Sequence, residues 1–133
     1  MLASRAAGRD AAAMSDPVTL RLRLLFGDRL VFGPGKGELL ARIAETGSIA
    51  AAGRAMGMSY KRAWALVEEM NAAFQEPLVS SARGGAGGGG AVLTETGRAV
   101  LQAYQALLAA VETAAAPETA RIAALLRDMS GGK

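Results

Sequence analysis

The side chains best placed to do chemistry cluster in one short string, Ser59-Tyr60-Lys61-Arg62, with Trp64 two positions on. A serine directly ahead of a helical segment can cap it by accepting a backbone N–H bond. Two cations in the first turn of such a helix can then meet phosphate oxygens or the acceptor edge of guanine. A second candidate is the glycine tract from Gly84 to Gly90, broken only by Ala86, with Arg83 at its base. Backbone without side chains can approach a phosphate closely. The tract is not a nucleotide-binding P-loop, which needs Gly-Lys followed by Ser or Thr opening a helix. Here Gly90 runs into Ala91-Val92-Leu93, which reads as a strand. The 133 residues contain no Cys and no His. Disulfides, thiol nucleophiles, imidazole bases and the usual zinc ligands are therefore absent together, so no catalytic residue, metal or cofactor is expected and the chain does not read as an enzyme.

Lys and Arg number 15 against 12 Asp and Glu, a net charge of +3. That balance suits nucleic-acid binding and is also common in other soluble proteins, so the placement of the cations carries more than their number. The length fits one compact domain. Much of the hydrophobic share of 51% is alanine, and no uninterrupted apolar run approaches the roughly 18 residues of a membrane span. Arg5, Arg9 and Asp10 break up the N-terminus, so no secretory signal is read there. The expectation is a cytoplasmic protein with no membrane partner.

The elements that must position the string read as follows. Residues 1–16 form an unstructured leader, within which Met14 is an alternative start. Val18, Leu20, Leu22 and Leu24 alternate with Thr19, Arg21 and Arg23, predicting a half-buried strand. Gly27-Asp28 turns it into Arg29–Phe32 as a hairpin closed by Gly33-Pro34-Gly35. Glu38 to Thr46 is a helix with Leu39, Leu40, Ile43 and Ala44 on one face, and Gly47 ends it. Ser48 caps a short helix from Ile49 to about Met56, Gly57-Met58 is the turn, and Ser59 caps a third helix running to about Phe74. Two helices joined by a short glycine-containing turn are a helix-turn-helix. Leu78–Ser80, the glycine tract and Ala91–Leu93 then make a wing. Thr94 caps an amphipathic helix that Pro117 is expected to interrupt, after which Ile122, Leu125, Leu126 and Met129 stripe a last helix ahead of the tail 130–133. The fold class is mainly α with small β elements: a winged helix-turn-helix over 17–95 and C-terminal helices over 96–129.

Rotation at about 100° per residue puts Ala63, Val67, Met70 and Phe74 on the core side of the third helix, with Tyr60 and Leu66 at its margins. Lys61, Arg62, Ala65, Glu68 and Glu69 fall on the free side, cations first and carboxylates further along. Trp64 is expected to shield the rim of the core, with contact to DNA as the alternative. A basic pair on an arbitrary helix is usually just a solvated face. The cap before it, the alanine-rich helix ahead of the turn and the wing behind it favour DNA instead, since each belongs to one architecture.

Several strings resemble the N-terminal domain of molybdate-responsive transcription regulators of the ModE type, whose helix-turn-helix is related to that of LysR-type regulators. They are Gly47-Ser48-Ile49, Ser59-Tyr60-Lys61-Arg62-Ala63-Trp64, Glu69-Met70-Asn71 and Gly87-Gly88-Gly89-Gly90-Ala91-Val92-Leu93-Thr94 with Gly97. The resemblance covers roughly Leu20 to Ala110. It implies a homodimer that binds double-stranded DNA, reads the major groove with the third helix and touches the flanking backbone or minor groove with its wing. Ser59, Tyr60 and Lys61 match the start of the family's recognition helix, and Arg62 stands at a variable position. The candidate DNA contacts are thus Ser48, Ser59, Tyr60, Lys61, Arg62, Arg83, Gly87 and Gly88. The candidate dimer contacts, by family analogy, are Leu101, Tyr104, Leu108 and Val111. Full-length members continue into β-rich domains that bind molybdate or tungstate, whereas this sequence stops at Lys133, so direct oxyanion binding is not expected of it. The alternative is a helical dimerisation or interaction protein without DNA affinity of its own.

Overall fold

The structure is a computed structural model that describes residues 18–82 and 90–127. The leader over 1–16, the glycine tract before Gly90, Met129 and the tail lie outside the described residues. In order, the elements are β1 (Leu24–Phe26), β2 (Leu30–Phe32), α1 (Pro34–Thr46), α2 (Ile49–Ala55), α3 (Tyr60–Ala73), β3 (Val79–Ala82), β4 (Gly90–Leu93) and α4 (Glu95–Ala124). Among the described residues, those within 21–108 form one compact unit, which takes in the first part of α4, and residues 18–20 and 109–127 belong to a second.

The first unit opens on a hairpin much shorter than the alternation of leucines predicts. Leu24 pairs with Phe32, Leu25 with Val31 and Phe26 with Leu30. Continued in that register, residues 18–22 would face residues 34–38, which are helical. A strand persists only as far as its partner stays extended. The partner gives out because Gly33-Pro34-Gly35 starts α1 instead of closing the hairpin, with Pro34 in the first helical turn and Gly37 N–H donating to Gly33 C=O at 3.0 Å. Proline is preorganised for that position because the missing N–H has no helical partner there. Leu22 C=O, left without a strand, accepts the Tyr104 hydroxyl at 2.7 Å.

Helices α1, α2 and α3 build the core. Leu39, Leu40 and Ile43 are fully buried, whereas Ala44 is exposed. Gly47 ends α1 in the left-handed conformation expected of it, at φ 70°. The buried stripe of α3 is Ala63, Leu66, Val67 and Met70. It is rotated toward Leu66 relative to the sequence expectation, leaving Phe74 only half-buried and Tyr60 exposed. Phe32 and Tyr104 meet edge-to-face with ring centroids 5.0 Å apart. Burial pushes the Tyr104 hydroxyl above its ordinary pKa, with the Arg21 guanidinium opposing. Among the described residues no buried side-chain nitrogen or oxygen lacks a hydrogen-bond partner.

The C-terminal part differs most from expectation. Pro117 lies inside α4, which runs unbroken from Glu95 to Ala124, where two helices separated by the proline were expected. An interior proline removes one N–H bond and crowds the preceding turn. The cost is contained here because Ala114–Ala116, the strongest helix formers, precede it. Thr113, whose carbonyl loses that bond, is solvent-exposed. In the second unit Ile122, Leu125 and Leu126 are exposed, with Leu125 at 84%.

Candidate nucleic-acid interface

The turn between α2 and α3 is built from backbone hydrogen bonds and a close helix contact. Gly57 N–H donates to Arg54 C=O at 3.0 Å, and Met58 N–H donates to Gly53 C=O at 2.9 Å. A Cβ on Gly53 would lie 2.9 Å from the Ala63 Cβ, so the two helices approach as nearly as their backbones permit. Both helices are capped as their sequences specify. The Ser48 hydroxyl accepts from Ala51 N–H at 3.0 Å, and the Ser59 hydroxyl accepts from Arg62 N–H at 3.1 Å. Each O–H proton stays available to a further acceptor such as a phosphate oxygen.

The first turns of α3 carry the exposed chemistry. Tyr60, Lys61, Arg62 and Trp64 all face solvent, and no acidic residue stands in the first turn. Among the described residues neither Lys61 nor Arg62 has a carboxylate within ion-pair distance. The unpaired N–H groups and the helix dipole add positive potential at the same end. Glu69 is drawn aside to Lys36 on α1, with Nζ and the carboxylate 3.4 Å apart. Glu68 is exposed and lies seven residues beyond Lys61, about 10 Å along the helix. The arrangement can bind a polyanion at one end of α3 while its carboxylates stay off that end.

Trp64 departs from its expected place at the rim of the core. Its side chain is 42% exposed and stacks on that of Tyr60, with ring centroids 6.5 Å apart and planes 11° from parallel. Sequence reasoning also passed over Arg54, an exposed cation in the last turn of α2.

The wing strands pair Val79 with Leu93, Ser80 with Val92, Ser81 with Ala91 and Ala82 with Gly90. Arg83, Gly87 and Gly88, the candidate contacts at the wing tip, lie outside the described residues. The root of the wing is fastened to the helix-turn-helix by a residue whose role the sequence did not reveal. The Asn71 carboxamide oxygen accepts from Leu78 N–H at 2.8 Å and Val79 N–H at 3.1 Å, while its NH₂ donates to Val79 C=O at 3.1 Å. One side chain of α3 thus serves as a strand partner for the start of β3. On the other side Thr94 N–H donates to Leu78 C=O at 2.9 Å, and the Thr94 hydroxyl donates to Pro77 C=O at 2.7 Å. Ala91 N–H donates to Gly47 C=O at 2.9 Å, tying β4 to the end of α1. Asn71→Ala leaves three backbone groups short of a partner and is expected to cost about 2 kcal/mol of stability. Urea unfolding checks this, with the midpoint falling at an unchanged slope.

The candidate dimer contacts divide. Tyr104 is 5% exposed, held by Phe32 and Leu22 within its own unit, so its side chain is spent on the core and presents almost no surface to a second chain. Leu101 and Leu108 are half-buried against the same core, and Val111 is half-buried in the second unit.

Comparison with known proteins agrees with this geometry. Residues 37–98 match the family model described as bacterial regulatory helix-turn-helix protein, lysR family. The chain is 49% identical over 79 residues to the molybdenum-pterin-binding protein MopB of Rhodobacter capsulatus, covering 59% of this chain and 29% of that protein. It is 43% identical over 86 residues to the DNA-binding transcriptional dual regulator ModE of Escherichia coli (strain K12), covering 65% and 33%. It is also 37% identical over 95 residues to the molybdenum transport protein ModE of Azotobacter vinelandii, covering 71% and 34%. The chain spans about a third of the length of the curated relatives it matches.

Proposed function

We propose that the chain, which carries a ModE-like, lysR-type helix-turn-helix match, is a winged helix-turn-helix DNA-binding domain that regulates transcription of molybdenum-related genes. It binds double-stranded DNA as a homodimer with the first turns of α3 in the major groove. The single observation that carries this reading is the capped N-terminus of α3, where Lys61 and Arg62 are exposed and free of carboxylates among the described residues. Helix-turn-helix proteins present that end of the second helix to base edges. The proposed contacts are Tyr60, Lys61 and Arg62 on α3, the hydroxyls of Ser48 and Ser59 on phosphates, and Arg83, Gly87 and Gly88 on the flanking backbone. The dimer is proposed to form through α4 by way of Leu101, Leu108 and Val111, with Tyr104 contributing only through the core.

Direct control by molybdate or tungstate is not part of the reading. A cleft of about 180 Å³ within residues 21–108 is lined by hydrocarbon from Leu24, Phe26, Phe32, Phe74 and α4. It offers an oxyanion no cation.

Sequencing genomic DNA captured by the purified chain, with and without added molybdate, tests the proposal. The expected result is a shared motif of two inverted half-sites upstream of molybdenum-related genes, the same in both samples, with binding that weakens steeply as salt is added. Capture of no common motif, or a salt-insensitive complex, would favour a protein-interaction role instead. A monomer by gel filtration at micromolar concentration would remove the paired half-sites.

A further inference from the structure

We propose that Trp64, braced by Tyr60, is a specificity-determining residue that reads the 5-methyl group of thymine in the major groove; the inference rests on the DNA-binding role proposed above. Thymine is the one base that offers an apolar group there, and apolar side chains are what recognise it. Tyr60 and Trp64 are 57% and 42% exposed and stacked on one another, giving a single apolar ledge on the first two turns of α3. Large aromatic side chains ordinarily bury most of their surface, and a stacked pair left in water marks a contact surface more strongly than either ring alone.

Two placements and the size of the patch say what covers the ledge. Lys61 lies between the two rings in sequence, with Arg62 beside it, and neither has a carboxylate partner among the described residues. The charge complement of the surroundings is therefore anionic. Trp64 and Asn71 are seven residues apart, about two helical turns, and so share one side of α3. Asn71 binds the start of β3, which puts the aromatic ledge on the wing side of the helix, between the cationic first turn and the wing root. Two rings make too small a patch for a stable protein interface, which buries about 1,000 Å² or more. A methyl group needs only one ring face.

The test begins with a duplex enriched from a random pool by binding to the full chain. Each thymine is then replaced singly by deoxyuridine, which lacks only the methyl group. Wild-type protein is expected to lose about fourfold in affinity at one or two positions, the worth of one methyl group removed from water. Trp64→Ala is expected to bind the thymine and deoxyuridine duplexes equally at those positions, while keeping its response to salt. Trp64→Phe, which retains a ring and fills the site more conservatively, is expected to keep part of the discrimination. Two results would overturn the inference while leaving the DNA-binding role intact: enrichment of a duplex at which no thymine is sensitive, or full sensitivity in both Trp64 variants. Failure to enrich any duplex would overturn the DNA-binding role and this inference with it.

Discussion

Alanine at both Lys61 and Arg62 is expected to lower affinity for an enriched duplex by about a hundredfold, since each of the proposed contacts to a guanine edge would contribute on the order of 1–3 kcal/mol. The loss is expected in binding alone. Both side chains are exposed in the first turn of α3, and neither takes part in an ion pair among the described residues. Surface changes of that kind usually alter stability by less than about 0.5 kcal/mol. The cap survives because the Ser59 hydroxyl accepts from the backbone N–H of residue 62, which alanine also supplies. Circular dichroism should therefore show unchanged helicity and melting, while a titration at several salt concentrations shows a weaker complex with a shallower salt dependence. Wild-type affinity in the double variant would remove α3 from the groove.

The largest expected loss of stability comes from a single methyl group. At Gly97 an added Cβ would overlap the Leu78 carbonyl oxygen and lie 2.9 Å from its carbon, in a place where the neighbour is backbone and cannot swing aside. That backbone is already held from both sides, by Asn71 at the N–H and by Thr94 at the C=O. The Thr94 hydroxyl is in turn committed to capping α4 through Gly97 N–H at 2.9 Å. Moving either partner therefore breaks hydrogen bonds that the native arrangement satisfies. Gly97→Ala is expected to cost about 3 kcal/mol, at the upper end of overpacking effects, and to lower the melting midpoint by about 10–15 °C. An unchanged midpoint would show that the start of α4 is not pinned to Leu78.

Much of the architecture was legible because it rests on local rules. The hydroxyls of Ser48, Ser59 and Thr94 each bond the backbone N–H three residues on, and Gly47 takes the left-handed conformation that ends a helix. These outcomes depend on a few consecutive residues. The departures come from partners distant in sequence. Whether Leu20 and Leu22 pair as a strand depends on what stands opposite them, and α1 begins there. Leu22 instead receives a hydroxyl from 82 positions away. The path of α4 through Pro117 shows propensity from flanking alanines outweighing a single breaker. For the site, the placing of Lys61 and Arg62 on a free face followed from rotation alone. Trp64 did not, because a ring near the margin of a helical face is turned inward or outward by its neighbours, and its neighbour is the equally exposed Tyr60. Asn71 stood within a recognised string, yet nothing local shows that an amide will serve as the edge of a sheet.

The fastening of the wing root has a consequence for how such domains diversify. Asn71 on α3 and Gly47 at the end of α1 hold β3 and β4 independently of anything beyond Ala82 and Gly90. The two strand ends therefore act as a socket of fixed orientation. Loops of different length or charge can be exchanged between them without re-aiming α3, so changes in the loop and changes in the first turns of α3 are separable, and either can be engineered or selected while the other is held constant.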